Sequence, residues 1–489
     1  MSTEDFLPGT KLLYNEHGFV LSQHTELKKH GDIVLAPQPT DHPDDLLHWS
    51  FKRKCWHALL LLLITALTGA TTNDSGSAQF QENDELEISY ASFNAGAGVL
   101  FIGIGYWTLL ISPAVWLYGR RISYLFAMGN KTSDAIWNQL FVGASESCSE
   151  ANVQLSLMDI FFQHQRGAVL GSYMLAISAG TYLGPLVASY IAANMGWRWI
   201  GWFRAILSGL LAIVVFFGLE ETAFDRNAHL LVDGINTTDS TEETSHGHEF
   251  SDATKEKMTS ELKNARDVVP NPVATAGKTY CQRIALITLA PNVRGTGFKQ
   301  YFSRLFHALR WGAQDAWRTF YLTTEADNWV EAPWNYSTAA LGAMNVPCLI
   351  GAVLGCAYGG WFSDPFEMRL WLLIPATFLF PLGMLLFGVA SAEGWSWPVP
   401  YVALGFIGFG WGNAGDVRMA YLEDCYPKMV LEGMVGVAVI NCTIGMIFTF
   451  GASPWLATSR TLNTWIAIGT CREWTAERYN RFLVLRDGL

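Results

Sequence analysis

Carboxylates set inside long apolar runs are the residues of this chain with chemistry to perform. Glu146 and Glu150 stand four apart in the block 136–161, on one face of a regular helix, and Asp159 follows near the block's end. In the second half Asp416 sits in Gly412-Asn413-Ala414-Gly415-Asp416-Val417-Arg418, with Glu423 and Asp424 beyond it. A carboxylate in mid-membrane costs about 2.5–3.5 kcal/mol even on lenient insertion scales, so it persists with a partner or a task. Like charges held close in a low dielectric raise one carboxyl's proton affinity, which readies it to exchange protons near neutral pH. An organic cation can take that proton's place, with Tyr106, Trp107 and Trp411 offering cation–π surface. The competing explanation is structural. The acids then face a wet cavity or pair with Arg204 or Arg418, and the aromatics pack or form an interfacial belt, as Trp329, Trp334, Trp395 and Trp397 do near loop ends.

The elements that must position these groups are membrane helices. The 489 residues are 50% hydrophobic and only 15% charged, against about 25% charged in soluble domains. Nine apolar blocks are long enough to span, at 56–72, 93–117, 136–161, 167–193, 198–219, 337–361, 370–391, 397–421 and 430–456. Three more, at 122–129, 311–324 and 464–470, are too short. An eight-residue helix covers roughly 12 Å of a hydrocarbon core about 30 Å thick.

Lys and Arg mark cytoplasmic ends. Lys52, Arg53 and Lys54 precede the first block, Arg120 and Arg121 end the second, and Arg166 precedes the block at 167. The stretch 72–92 has no basic residue but holds Asp74, Glu82, Asp84, Glu85 and Glu87. Nine spans would put the termini on opposite sides, whereas the charges put both in the cytoplasm. Counting the short blocks as helix positions resolves this as six, a long loop, then six. The expected fold is an all-α polytopic membrane protein of two pseudo-symmetric six-helix bundles, with about nine full spans and three short blocks. Its parts are a cytoplasmic tail 1–55, a bundle 56–220, a cytoplasmic loop 221–310, a second bundle 311–470 and a cytoplasmic tail 471–489.

Other classes of function find little support. A net charge of −11 argues against nucleic-acid binding. Phosphate loops, metalloprotease helices and nucleophile elbows are absent from the sequence, so no enzyme activity, cofactor or metal is expected. His246 and His248 lie in the polar stretch 225–277, which is too poor in apolar residues to fold and reads as a solvated linker. The next stretch, 278–310, carries Arg283, Arg294, Lys299, Arg304 and Arg310 interleaved with aromatics, and suits a helix lying on the inner leaflet. The eight cysteines form no CxxC pair and read as packing residues. The first fifty residues hold no apolar stretch, hence no cleavable signal peptide. Of four sequons, Asn130 and Asn335 alone are placed to meet the glycosylation machinery, since Asn236 falls in the cytoplasmic loop and Asn441 within a span.

The most specific pattern is Gly171, eight residues, Gly180, three residues, then Gly184 and Pro185. Small residues so spaced let a neighbouring helix approach closely, and the proline bends the helix. This resembles the fifth-helix antiporter motif of the major facilitator superfamily, with Ala188 and Ser189 where two further glycines are usual. Gly119, Arg120 and Arg121 match that superfamily's loop motif after the second helix, although Trp116 replaces its acid; Gly360 to Asp364 is the second-half counterpart. Pro43, Asp45, Leu47, Trp49 and Ser50 before the basic cluster, and Leu219-Glu220-Glu221-Thr222, resemble fungal drug:proton antiporters of the histidinol and polyamine type.

The resemblance implies a secondary active transporter, proton-coupled, that moves small organic cations, polyamines or drugs by alternating access. Glu146, Glu150 and Asp416 would couple proton and cation; the partners would be a cationic substrate, protons and the bilayer. A monomer in the plasma membrane rather than the vacuolar membrane is expected. The short blocks fall where spans three, seven and twelve belong, and a lipid-exposed half-helix leaves backbone groups unsatisfied. The alternative is therefore a transport-deficient sensor, a degenerate paralogue, or the product of an over-spliced gene model.

Overall fold

The computed structural model describes residues 29–30, 33–34, 37, 39–40, 42–78, 85, 90–118, 120–121, 123–124, 135–162, 165–222, 224, 279–285, 342–363, 369–425 and 430–459. In the first half these form α1 (Phe51–Asn73), α2 (Tyr90–Tyr118), α3 (Ala135–Cys148), α4 (Gln154–Ile160), α5 (Arg166–Met195) and α6 (Arg198–Gly218). A π-helical turn, Ser149–Val153, joins α3 to α4. One short turn, α7 (Tyr280–Arg283), precedes α8 (Asn345–Ser363), α9 (Ile374–Ala392), α10 (Pro398–Cys425) and α11 (Val430–Ser459). A two-residue ladder pairs Lys29–His30 (β1) with Ile33–Val34 (β2); the protein is otherwise helical among the described residues. The short blocks 122–129, 311–324 and 464–470 lie wholly or mostly outside those residues, as do the linker 225–277 with its histidines, Asn130, Asn335, Trp329 and Trp334.

Each of the nine long apolar blocks is helical over most of its described residues, because in hydrocarbon a chain must satisfy its backbone groups within its own segment. α6 shows the consequence on its surface. Trp202, Phe203, Ile206, Leu210, Ile213 and Phe217 are all exposed, a face suited to lipid. α1, α5, α6, α9 and α11 contain stretches both long and apolar enough to cross a membrane.

Within the first half α1 packs on α5 and α3, and α2 on α3; within the second, α10 packs on α8 and α9. The halves meet along two seams, α5 against α8 and α10, and α2 against α11. Leu60, Leu61, Ile64, Leu157, Ile160, Tyr173 and Ile177 form the centre of the first half's core.

Three details add to the sequence-based reading. The bundle begins before residue 56: Asp45 caps a short helical turn by accepting from the Leu47 N–H, and Leu46 and Leu47 are buried in the core. Apolar residues in an otherwise polar tail made that segment look detached. Of the basic stretch 278–310, residues 279–285 are described; they form α7, capped by Thr279 and Gln282, whose Arg283 pairs with Asp44 and Glu220, and the rest of the expected surface helix lies outside the described residues. Finally, Cys148, Cys348, Cys356 and Cys442 pack in the interior, but Cys55 and Cys281 are exposed.

Candidate functional site between and within the two halves

α5 carries the glycines of the motif and uses them on two partners. A Cβ on Gly180 would stand 2.1 Å from the Ala66 carbonyl oxygen, and one on Gly184 2.7 Å from Ala70 Cα, so α1 and α5 cross nearly backbone to backbone. Gly171 faces the other half, where its Cβ would come 2.9 Å from Gly360 Cα on α8. Pro185 lies inside α5, and its carbonyl accepts from Ser77 Oγ at 3.1 Å and Ser189 Oγ at 2.7 Å.

Asp416 is fully buried at this seam. Its Oδ2 would be 2.8 Å from a Cβ on Gly359, 3.3 Å from one on Gly360 and 3.6 Å from one on Gly171. Three missing side chains therefore make room for one carboxyl, and the α5–α8–α10 junction closes around it. Asn413, one turn earlier, donates from Nδ2 to the Leu372 carbonyl at 2.8 Å.

Glu146 is buried near the end of α3. Glu150 falls in the π turn, and its side chain lies outside the described residues. Because the helix widens between them, the four-residue spacing is not that of a regular α-helix. Such widened turns concentrate at functional sites. The π turn touches α1 and α11, and its Ser149 Oγ bonds Thr68 Oγ of α1 at 3.1 Å and the Glu146 carbonyl at 2.8 Å. Glu146 and Asp416 thus belong to different halves, one against α1 and the π turn, the other at the α5–α8 crossing.

Among the aromatic candidates, Tyr106 is exposed and its hydroxyl lies 3.2 Å from Thr443 Oγ across the α2–α11 seam. Trp107 and Trp411 are half-buried on α2 and α10. Trp395 and Trp397 are exposed at the α9–α10 junction.

At one end of the first half a charge network replaces the acid that Trp116 lacks. Arg120 pairs with Asp159 of α4 and donates to Ser156 Oγ at 3.3 Å and Thr222 Oγ at 3.2 Å. Its backbone N–H donates to Glu221 at 2.9 Å. Burial works to lower the Arg120 pKa, but Asp159, Tyr124 and Glu221 together outweigh it and hold the guanidinium above its ordinary range. Arg121 donates to the Phe216 carbonyl at 2.6 Å. Gly119 and Asp364 of the paired loop motifs lie outside the described residues.

Beside this network Glu220 collects Arg53, His57 at 3.7 Å and Arg283 at 3.9 Å. Burial would raise its pKa; hydrogen bonds from His57 and Arg53 prevail and hold it below the usual carboxylate value. At the opposite end of α1, Arg204 bonds Asp74 at 3.0 Å and the Thr71 carbonyl at 3.2 Å. The acid-rich stretch 72–92 contained this partner, yet nothing in its composition singled out Asp74 from its four neighbours.

The architecture and its seams match known proteins. The model of the Major Facilitator Superfamily fits residues 59–450. This chain belongs to the Major Facilitator Superfamily. It is similar to an uncharacterised MFS-type transporter of Schizosaccharomyces pombe, 45% identical over 556 residues that cover 99% of this chain and 95% of the relative. It is also similar to Protein HOL1 of Saccharomyces cerevisiae, 42% identical over 580 residues covering 99% and 98%. Among solved structures, that of the proton:xylose symporter XylE superposes with a TM-score of 0.59, covering 89% of this chain and 96% of that one at 13% identity, a likeness of fold alone. As a member of the superfamily the chain is an integral, multi-pass membrane transporter of small molecules and not an enzyme. The sequence singled out acids and glycines that the structure places in α3, the π turn, α5 and α10; it gave no sign of Asp74, Asp44 and Asp45 as partners of other groups, because an acid beside a span looks the same whether solvated or paired.

Proposed function

We propose that the protein is a proton-coupled secondary transporter of small organic cations, of the polyamine, histidinol or cationic-drug class, working by alternating access between its two halves. The observation that carries this reading is Asp416, a carboxyl with no exposed surface, set where three glycines bring α5 and α8 together. A carboxylate there is costly and a protonated carboxyl much less so. Protonation would then favour the closed seam, and release of the proton would favour its opening, which is how a proton biases a two-state carrier. Glu146, buried beside the polar π turn, is the acid offered to the cation, with Glu150 in the same turn. The α3 sequence holds an acid and no Lys or Arg, which suits a positively charged substrate better than an anionic one. Both termini are placed in the cytoplasm, which puts the Arg53 end of α1 inside and Asp74 outside, in the plasma membrane and as a monomer.

The test is transport in vesicles holding the purified full-length chain under an imposed pH gradient, with labelled polyamine, histidinol or a cationic dye. Movement should collapse with a protonophore. Asp416→Asn should lose gradient-driven movement by at least about tenfold while still exchanging labelled for unlabelled substrate, and Glu146→Gln should lose both. Gradient-independent traffic, or none from folded protein, would refute the coupling.

A second reading has its own support. Both relatives align over more residues, 556 and 580, than the 489 of this chain. That excess accords with segments missing from spans three, seven and twelve, and with a transport-deficient paralogue or an over-spliced gene model. Sequencing the full-length transcript separates them, since a message encoding the same short blocks excludes the splicing error.

A further inference from the structure

The end of α1 away from Arg53 carries a second buried acid that the reading above does not use. Asp74 follows the last residue of α1, its backbone N–H donating to the Ala70 carbonyl at 3.0 Å, and it keeps only 6% of its surface exposed. Arg204 crosses from α6 to bond its Oδ1 at 3.0 Å. α6 otherwise turns large apolar side chains outward, so this pair and the Thr71 carbonyl give Arg204 its anchorage.

Asp74 also lies one turn from the glycine crossing. Ala70, whose carbonyl it caps, is the residue against which Gly184 rests, at 2.7 Å from a Cβ there. The next turn repeats the link: the Ser77 N–H donates to the Asp74 carbonyl at 3.1 Å, and Ser77 Oγ donates to the Pro185 carbonyl. Asp74 is therefore linked through Ser77 to the Pro185 turn of α5, the helix that forms the seam with the second half.

We infer that Asp74 is a proton-binding carboxyl, external on the topology proposed above, whose ion pair with Arg204 clamps α1 to α6 and opens when the carboxyl takes up a proton. The link to transport rests on the proton-coupled reading; the proton site itself does not. Burial raises the Asp74 pKa to about 6 even though Arg204 pulls it down. Arg204 is the charged group α6 directs at it. α1 brings Thr71, Thr72 and Asn73, the following turn Ser75 and Ser77, and α5 Pro185 and Ser189, all uncharged. The other described charges at this end, Glu85 and Arg198, form their own pair at 3.1 Å.

Two readouts on the full-length protein in lipid vesicles test this. In pH-difference infrared spectra, the wild type should show a carboxyl that titrates near pH 6. Asp74→Asn should delete that band, and Arg204→Gln should move its midpoint upward by about one unit, since a favourable charge is removed. Asp74→Glu, which keeps a carboxyl, should retain a titrating band at a shifted midpoint, and guards against a fold lost in the Asn variant. The second readout is substrate movement against external pH, where Asp74→Asn should flatten the inflection near pH 6 and leave the response to internal pH intact. A band that persists in Asp74→Asn, or a midpoint unmoved by Arg204→Gln, overturns the proposal. A band that obeys these variants in a protein whose transport ignores the proton gradient upholds the site and refutes the coupled reading instead.

Discussion

α1 and α6 are joined by ion pairs at both ends, and the two ends treat their carboxylates in opposite ways. At the Arg53 end, Glu220 is held below its ordinary pKa; at the other, Asp74 is held above it. Both are partly or wholly removed from water, so burial alone cannot decide the sign. The number of donors does. Glu220 meets Arg53, His57 and Arg283, donors from three positions in the chain, whereas Asp74 meets one arginine and its own helix end. Several donors converging on one carboxylate favour its charged form, and a single one against full desolvation does not. The first end is therefore built to stay closed at any cellular pH, the second to respond to pH.

The largest expected effect falls on the closed end. Glu220→Ala leaves Arg53 and Arg283 facing each other without their shared acid, and should lower stability by about 2 kcal/mol, the scale for charge-assisted hydrogen bonds, measured by thermal unfolding in detergent. In the wild type the contribution of Glu220 is fully present above its unfolded pKa near 4.5 and is lost as pH falls through its lower folded value. The extra acid lability below that pH should vanish in the variant. Wild-type and variant curves that run parallel there would break the contrast.

Arg204→Gln comes next and should show the reverse pH dependence. It strands the Asp74 carboxylate in a buried place, costing about 1–3 kcal/mol at neutral pH. The folded pKa of Asp74 already exceeds its unfolded value of 3.8, so the folded state binds the proton more tightly. Acidification from above neutrality should therefore recover more stability in Arg204→Gln, whose stranded Asp74 takes up its proton at higher pH, than in Glu220→Ala, where the Asp74–Arg204 pair is intact. Equal pH responses in the two variants would show that the ends are alike.

Much of this architecture was legible in residue order, and the reasons are physical. A membrane helix must be a continuous apolar run, so the nine blocks stood out, and the glycines at 171, 180 and 184 announced a close helix approach. Which helix approached was not readable: Gly180 and Gly184 serve α1 and Gly171 serves α8, a distinction that depends on rotation of α5 rather than on spacing. Charge partners were harder still. Asp44 and Arg283 are separated by 239 positions, and Arg120 finds its acid in α4 after Trp116 takes the expected place. The π turn at Ser149 has no signature in composition, so Glu146 and Glu150 looked like neighbours on a regular helix.

The smallest expected effect concerns Arg283, and it sharpens the claim that donor number sets the sign. Its guanidinium is 31% exposed and sits 3.4 Å from Asp44 and 3.9 Å from Glu220, distances and exposure at which an ion pair adds no more than about 1 kcal/mol. Arg283→Ala should scarcely move the unfolding temperature. Its removal takes a guanidinium from beside Glu220 but leaves Arg53 and His57, the groups that hold the carboxylate below its ordinary pKa, so that depression should weaken only slightly. The acid transition should therefore shift slightly upward in pH. Meanwhile the α7 turn, which Arg283 ties to the tail and which also donates from Tyr280 to the Phe217 carbonyl at 2.6 Å, should become more open to protease. Restoring the pair in reversed order, with Asp44→Arg and Arg283→Asp together, should recover protection only in part, because the reversed acid at 283 then faces Glu220 as a like charge. Full recovery would mean that Glu220 takes no part in holding α7, and the account of several donors converging on Glu220 would fall with it.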